Sequence, residues 1–350
     1  MGYPVTLIRD SGVEAEVTNA TQIVLEATGV DFNWQIVDVG TAVIDRYGTP
    51  FPDAVLESIQ KTKTVLKGPI ALPLGQDGLA AQVELCQQLN LYAHLRSAKS
   101  IAGIQSRFSD MDLVIVQENT EDFYAGIEFE RTTIEAADAR SVLSKLSGQH
   151  IREDSAVGIR TISVKGCGQI IEFAFNYAQA NGRRQVTAIH QAHQRTATDR
   201  LFLDIACEVA KEFPDIKFED RRLETACLQL MQTPNHFDVL VMPNSYGDLL
   251  FSLCAGISGG LGVAPNAFIG DEYAVFESAA PPCAGDPTAL ILSGGLMLQH
   301  LGEQKAAQKL QKAVEAVIAA QTHVTADLAS MGTEPVGPQA MAQAIAEAMV

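Results

Sequence analysis

Short apolar runs alternate along the chain with stretches that have helical apolar spacing. The runs typical of buried strands are residues 5–8, 32–37, 65–70, 111–117, 185–190 and 239–242. The helix-like stretches between them are residues 15–28, 53–62, 80–89, 170–180 and 199–213. Alternation of this kind predicts an α/β fold with a mostly parallel sheet that is covered by helices on both faces.

The pattern changes in the middle of the chain and again near its end. Residues 129–155 are charged and polar, with Val142 and Leu143 as their main large apolar side chains, which favours an exposed arm. After Gly262 the pattern indicates short strands and loops. Two alanine-rich helices are predicted beyond them, over 288–301 and 303–321.

Asp248 lies where an apolar run gives way to a helical pattern. Pro243 and Asn244 end the run at 239–242, and a helix is expected to start near Leu249. Spacing alone favours Asp248 as the N-cap of that helix. The alternative is a chemical role, because ligands of open α/β sheets bind at the carboxyl ends of strands.

Composition narrows the class of protein. A chain of 350 residues that is 47% hydrophobic and 19% charged can bury a sizeable core and is expected to form two domains. Its net charge of −17 argues against nucleic acid or an anionic membrane as the main partner. No window of eighteen apolar residues and no leader pattern is visible, so a cytoplasmic protein is predicted.

Six cysteines are scattered without a CxxC pair or metal-ligand spacing, and we interpret them as small buried residues in a reducing compartment. They are Cys86, Cys167, Cys207, Cys227, Cys254 and Cys283.

Several motifs occur in one order along almost the whole chain. They are Gly68-Pro-Ile70, Leu91-Tyr-Ala-His-Leu-Arg96, the run from Asp112 to Glu128 with Glu118-Asn-Thr-Glu-Asp-Phe-Tyr124, Glu172-Phe-Ala-Phe-Asn-Tyr-Ala178, Asn244-Ser-Tyr-Gly-Asp248 and Asp286-Pro-Thr-Ala289. With these motifs the chain resembles the isocitrate/isopropylmalate dehydrogenase family, and is most similar to its NAD-dependent isocitrate dehydrogenase branch.

The resemblance implies a two-domain fold with an active-site cleft between the domains. The large α/β domain would comprise residues 1–98 and 252–350, and the small dimerisation domain residues 99–251, with an arm at about 129–158 that interlocks with a partner. The expected partner is a second copy, or an active dehydrogenase subunit in a hetero-oligomer. A small carboxylate is the expected ligand.

The family's chemistry needs Mg²⁺ or Mn²⁺, NAD(P), a lysine and a tyrosine for proton transfer, and arginines for the substrate carboxylates. The resemblance assigns the metal to Asp248 and to Glu224, which would be contributed across the dimer and is one methylene longer than the usual aspartate, but Ser252 stands where a second aspartate is usual. Loss of one anionic ligand should lower the affinity for a hard cation. The sequence therefore assigns no cofactor to this chain, but it does not exclude a metal.

The proton-transfer residues are only partly retained. Tyr124 matches the family's tyrosine, whereas Gln191 replaces the lysine, and an amide neither titrates nor carries charge. His190 and His193 flank this position and could substitute, although a structural histidine at a strand end is the commoner finding.

The substrate and nucleotide positions also differ from the family pattern. Arg96 matches one carboxylate-binding arginine, while uncharged residues occupy the other positions, namely Ala80, Gln82, Cys86 and Gln117. The nucleotide loop that ends at Asp286 has nine residues where the family has about sixteen. In the N-terminal turn, Asp10 and Glu14 add negative charge where a dinucleotide would approach.

Two functional hypotheses follow from these substitutions. In the first, the protein is a catalytically degenerate member of the family that acts as a regulatory or structural subunit. In the second, it is a divergent NAD-dependent isocitrate dehydrogenase, or a related decarboxylating 2-hydroxyacid dehydrogenase, still active through Tyr124, Asp248 and the nearby histidines. Simultaneous substitution at the metal, proton-transfer, substrate and nucleotide sites favours the first.

Overall fold

The structure is a computed structural model that describes residues 2–10, 15–70, 78–192, 197–279 and 285–350. Four of the sequence predictions therefore fall on residues outside these ranges. They concern His193, Cys283, the altered turn around Glu14, and most of the shortened loop before Asp286.

Twelve strands and twelve α-helices form within the described residues. The strands are β1 Tyr3–Asp10, β2 Phe32–Val39, β3 Thr64–Lys67, β4 Ala93–Lys99, β5 Asp112–Glu118, β6 Glu128–Phe129, β7 Val157–Gly158, β8 Gln185–His190, β9 Lys217–Arg222, β10 Val239–Met242, β11 Pro265–Ile269 and β12 Ala274–Ser278. The helices are α1 Ala15–Ala27, α2 Thr41–Tyr47, α3 Asp53–Thr62, α4 Gly78–Gln88, α5 Ile134–Ser147, α6 Val164–Ala180, α7 Ala197–Val209, α8 Leu223–Gln232, α9 Asn244–Ser258, α10 Thr288–His300, α11 Gln304–Ala320 and α12 Pro338–Ala348.

Ten of the strands form one mixed sheet in the order β2-β1-β3-β12-β11-β4-β5-β10-β8-β9. The two outer parts of the sheet are parallel. Antiparallel pairs join β12, β11, β4 and β5 at its centre. The sheet therefore brings strands from the N-terminal, middle and C-terminal parts of the chain side by side.

The two faces of the sheet bury different clusters, because successive side chains of a strand point to opposite faces. One cluster runs along a whole face under α1, α6, α10, α11 and α12. The other face carries two separate clusters, one packed with α8 and α9 and the other with α3 and α4. The candidate site lies between these two.

The α/β architecture predicted from the sequence is confirmed, including helices on both faces of a largely parallel sheet. The predicted domain boundaries stay a prediction. The boundary after residue 98 falls at the end of β4, and the boundary before residue 252 falls within α9.

The capping interpretation of Asp248 is wrong. Helix α9 begins at Asn244, directly after Pro243, so Asp248 lies in its second turn instead of at its N-cap. The sequence Asn-Ser-Tyr-Gly has the composition of a turn, but here it forms the first turn of a helix. The carboxylate consequently projects from the helix side, one turn before Ser252.

The predicted arm is exposed and contains its own secondary structure. Strands β6 and β7 pair antiparallel at its base, and α5 lies between them. Ala136 is the buried residue of α5, whereas Ile134, Val142 and Leu146 are exposed. Thr133 caps this helix by accepting a hydrogen bond from Ala136 N at 3.2 Å.

The cysteine prediction is correct in part. Cys86, Cys167 and Cys254 are buried, but Cys207 is exposed and Cys227 is half-buried. All five of these described cysteines are free thiols. No helix in the described ranges combines the length and the apolar character needed to cross a bilayer.

Candidate functional site

A cleft of about 270 Å³ opens between the two smaller clusters, above the centre of the sheet. Its apolar walls include Phe251, Leu261 and Phe268, contributed by residues of both clusters. Arg96, Tyr124 and Asp248 also line it. The structure thus brings together three of the residues that the sequence singled out, from positions up to 152 apart in the chain.

Arg96 and Tyr124 both bind the carboxylate of Asp248. Arg96 Nη1 donates to Asp248 Oδ1 at 2.9 Å, and the Tyr124 hydroxyl donates to Asp248 Oδ2 at 2.9 Å. The Arg96 side chain is only 5% exposed, whereas that of Asp248 is 54% exposed. Burial and the neighbouring Asp248 raise the pKa of Tyr124 above its ordinary value, so its proton stays on the hydroxyl.

Gln117 holds the other side of the Arg96 guanidinium. Arg96 Nη2 donates to Gln117 Oε1, and Gln117 Nε2 donates to the Asn244 carbonyl at 3.0 Å. Gly247 allows this arrangement, because a Cβ there would lie 2.1 Å from Gln117 Cδ. The guanidinium carbon also lies 4.2 Å from the centroid of the Phe251 ring.

Polar side chains that the sequence analysis missed form the cleft floor. His94 Nε2 donates to Asn266 Oδ1 at 2.5 Å, and its ring stacks on Phe268 with centroids 4.0 Å apart. Asn266 Nδ2 lies 3.5 Å from Glu277 Oε1, and Glu277 pairs with Lys67. Burial, with help from Arg96, lowers the pKa of His94 well below its ordinary value, so the ring is neutral.

One signal in the sequence could have pointed to His94. It lies two residues before Arg96 on the same strand, and residues at that spacing share a face of a sheet. The remaining floor residues come from other strands. Their register partners are Asn266 opposite Arg96, Phe268 opposite His94, and Glu277 opposite Lys67.

The other predicted proton-transfer residues do not line this cleft in the described part of the chain. Both ring nitrogens of His190 are engaged, since Nε2 donates to Asp220 at 2.9 Å and Nδ1 accepts from Ala192 N at 2.9 Å. The backbone N–H of Gln191 donates to Asp199 at 2.8 Å. His193 lies outside the described residues.

The predicted metal residues lie apart within one chain, and the resemblance has Glu224 reach the site of a partner across the dimer. Glu224 is exposed in the first turn of α8 and is not part of the cleft lining. Ser252 lines the cleft and is exposed, one turn after Asp248. No three His, Cys, Asp or Glu side chains converge in a metal-binding arrangement within the described ranges.

Cys86 and Gln82 occupy the α4 side of the cleft. Gln82 Nε2 lies 3.6 Å from the Cys86 thiol, and burial raises the pKa of that thiol to about 12. Cys86 is therefore a neutral thiol at physiological pH and offers no charge to a carboxylate. The side chain of Ala80 lies outside the described part of the structure.

These residues do not fit a hexacoordinate cation in the arrangement that this chain adopts. Mg²⁺ and Mn²⁺ prefer several oxygen ligands near 2.1 Å, but the one carboxylate from α9 already binds an arginine and a tyrosine. The described end of the shortened nucleotide loop is tied to its own helix, because Asp286 accepts hydrogen bonds from Thr288 N and Oγ1.

The fold is that of a class of α/β dehydrogenases, and sequence comparison identifies the family. The sequence pattern of isocitrate/isopropylmalate dehydrogenases matches residues 4–345. The chain therefore belongs to the isocitrate/isopropylmalate dehydrogenase family.

Relatives with different roles are similar to this chain. The mitochondrial NAD isocitrate dehydrogenase catalytic subunit 5 of Arabidopsis thaliana is 36% identical, over 94% of this chain and 84% of the relative. One mitochondrial regulatory subunit of the NAD enzyme of Dictyostelium discoideum is 37% identical, over 89% and 82%. A crystal structure of isocitrate dehydrogenase from Methylococcus capsulatus superposes with a TM-score of 0.86 at 39% identity, covering 100% of this chain and 99% of that one.

Proposed function

We propose that this protein is a non-catalytic member of its family, acting as a regulatory or structural subunit in a homodimer or in a hetero-oligomer with an active dehydrogenase subunit. The main support is that uncharged side chains stand where the family's chemistry needs charged ones, with Gln117 in place of an arginine, Gln191 in place of a lysine and Ser252 in place of an aspartate. The three retained residues, Arg96, Asp248 and Tyr124, are in contact with one another.

The residues around this contact support the same proposal. Gln117 is uncharged, and both ends of its amide are already hydrogen-bonded. Its oxygen accepts from Arg96, and its nitrogen donates to the Asn244 carbonyl. Gln191 cannot supply the ammonium that a lysine would bring to a developing negative charge. A tricarboxylate would find one arginine in the described lining of the cleft, and that arginine is already paired with Asp248.

One observation favours the alternative of a divergent active dehydrogenase. Tyr124 and Asp248 remain together in the cleft at 2.9 Å, which a proton-transfer pair would require. His190, however, uses both ring nitrogens for Asp220 and for its own loop, so it is poorly placed to replace the lysine.

The test is turnover by the purified protein. We expect isocitrate- and isopropylmalate-dependent reduction of NAD or NADP, with Mg²⁺ or Mn²⁺, to be far below about 1 s⁻¹, which is the lower end of ordinary enzyme rates. The same assay is repeated with an intact relative from the same cell, where a regulatory subunit should change the relative's rate or KM. A turnover number of about 1 s⁻¹ or more for the protein alone would reject the proposal.

A matched variant strengthens this assay. Gln191→Lys combined with Ser252→Asp restores one ammonium and one carboxylate, and we expect no measurable rescue. The reason is that Arg96 stays paired with Asp248 and the nucleotide loop stays short. The control is the reverse Lys→Gln change in the intact relative, which should lower its kcat by at least about 100-fold.

Location and ligand are part of the same proposal. Cytoplasmic location is our proposal. The free described cysteines fit any reducing compartment, and the two relatives compared above are named as mitochondrial proteins. Cell fractionation with an antibody decides between the compartments.

A small carboxylate ligand is tested by thermal shift with citrate and isocitrate, because a ligand that prefers the folded state raises Tm.

A further inference from the structure

Each carboxylate oxygen of Asp248 has a hydrogen-bond partner in the cleft. Oδ1 accepts from Arg96 and Oδ2 accepts from Tyr124, each at 2.9 Å. Arg96 carries a full positive charge on a side chain that water barely reaches. A carboxylate bound by a buried guanidinium and a hydroxyl already has the compensation that a metal ion would give it.

Arg96 is fixed in this position and is not a mobile surface side chain. Gln117 accepts from its second amino group, and the Phe251 ring lies under its plane. Gln117 is itself fixed by the Asn244 carbonyl and by its close packing against Gly247. The position of the positive charge is therefore set by β5 and by the first turn of α9.

A second cation beside Asp248 would face electrostatic repulsion. The guanidinium lies in direct contact with the same carboxylate, and Ser252 adds no negative charge to compensate. Lys67 is half-buried beside the cleft and is also neutralised, by the lining residue Glu277. The charges of these described residues therefore balance within one chain without any added ion.

We infer that the guanidinium of Arg96 takes the place of a divalent cation as the counter-ion of Asp248, which makes the cleft a metal-independent ligand site. The inference rests on the proposed non-catalytic function and deepens it. A carboxylate ligand that uses Arg96 has to displace Asp248, and Mn²⁺ does not assist its binding.

The first experiment titrates Mn²⁺ into the intact protein and follows the electron paramagnetic resonance signal of free Mn²⁺. Wild type should bind no more Mn²⁺ than Asp248→Asn. Arg96→Met, which removes the charge but keeps an apolar side chain over Phe251, should bind Mn²⁺ at least tenfold more tightly. Adding Asp248→Asn to Arg96→Met should abolish that gain.

Two outcomes of the titration would overturn the inference. One is wild-type binding of Mn²⁺ tighter than about 100 µM, in the range of a functional ion site, that disappears in Asp248→Asn. The other is a folded Arg96→Met protein, verified by circular dichroism, with no gain in Mn²⁺ affinity.

Melting of Asp248→Asn without any metal provides a test that does not need the Arg96 variant to fold. If Arg96 is the counter-ion, neutralising Asp248 leaves a buried positive charge unpaired and lowers Tm by several degrees. Ser252→Asn, one turn later on the same helix and exposed, is the control and should leave Tm unchanged. An unchanged or higher Tm for Asp248→Asn contradicts the inference.

Failure of the inference and failure of the proposed function give different results. Tight Mn²⁺ binding by wild type without turnover would reject the metal-independent cleft and leave the non-catalytic role intact. Turnover at an ordinary enzyme rate would reject the proposed function itself.

Discussion

His94 is held as a neutral ring by its surroundings. Burial and the positive charge of Arg96 disfavour protonation, and the hydrogen bond to Asn266 fixes which nitrogen carries the proton. Lys67 and Glu277 balance each other farther along the same floor. Individual residues of this cleft therefore have their ionisation set by neighbours on other strands.

Asp286 should make the free energy of unfolding depend on pH, which can be tested with a single substitution. Its carboxylate and that of Asp327 both face Gly262, with oxygens 3.3 and 3.6 Å from the position of a Cβ there. Burial and the neighbouring Asp327 raise the pKa of Asp286 to about 7. The folded protein therefore holds this proton more tightly than the unfolded chain, where the pKa is about 3.9.

The sign of the effect follows from linkage. The contribution of Asp286 to stability is largest below about pH 3.9 and is lost as pH rises through about 7. Asp286→Asn cannot ionise, so it should be more stable than wild type at pH 8, by on the order of 2 kcal/mol, with a smaller difference at pH 5. Denaturant unfolding at both pH values measures this.

The control for this experiment is Asp215→Asn, at an exposed position in a turn. It should change stability little at either pH. Equal stability of Asp286→Asn and wild type at pH 8 would contradict the prediction.

Several residues of the cleft could be predicted from the sequence, but the distances and contacts among them could not. Arg96, Tyr124 and Asp248 were identified from motifs, and they do meet in one cleft. Asn266, Phe268 and Glu277 were missed, because their role depends on antiparallel register between β4, β11 and β12. Register between strands about 170 residues apart leaves no local pattern in the sequence.

At the scale of elements, α9 determines the shape of the site. Its first turn packs on the end of β5 so closely that Gln117 touches Gly247. The helix also supplies Asp248, Phe251 and Ser252 to the cleft at a spacing of three to four residues, which places them on one side. The helix start predicted at Leu249 was wrong, because Gly247 is typical of a turn but here allows close packing within a helix.

Gly247→Ala tests the close contact between α9 and β5. The added Cβ would lie 2.1 Å from Gln117 Cδ, so the helix or the Gln117 side chain has to shift. We expect a loss of about 1 to 3 kcal/mol in the free energy of unfolding, as for other overpacked sites.

Gly256→Ala is the matched control on the same helix. No heavy atom lies within 4 Å of its added Cβ, and alanine favours the helix over glycine by about 0.5 to 1 kcal/mol. The control should therefore stabilise the protein or leave it unchanged. Similar stability changes in both variants would show that the contact at Gly247 is not the cause.

At the scale of the whole molecule, exposed apolar side chains on α8 and α9 indicate where a second chain would pack. Leu228 is 58% exposed and Leu249 is 62% exposed, and the two helices are in contact. Large apolar groups on neighbouring helices are typical of a surface that is covered in an oligomer. We therefore expect the predicted dimer to use this surface.

The combined change Leu228→Glu and Leu249→Glu should convert the dimer to a monomer, because charged side chains would be buried at the interface. Light scattering after size exclusion should give about twice 37.5 kDa for wild type and about 37.5 kDa for the variant. Met331→Glu, which charges another exposed apolar position, is the control and should keep the wild-type mass. A wild-type mass near 37.5 kDa would contradict a homodimer.

The sequence by itself determined the α/β class, the family and most of the long helices and buried strands. These features arise from local apolar periodicity and from motifs of adjacent residues, such as those around Tyr124 and Asp248. Helix α12 was missed although Met341, Ala342 and Ile345 recur at helical spacing and are buried, so its local signal was present in the sequence.

The tertiary structure alone decided how the charges of the cleft are paired. The sequence contains Arg96, Asp248, Lys67 and Glu277 as four separate charges, and nothing in their spacing says which carboxylate each cation binds. Folding brings together strands and a helix that are far apart in the chain. It thereby pairs Arg96 with Asp248 and Lys67 with Glu277. The energy of an ion pair depends on distance and burial, and both are properties of the folded molecule.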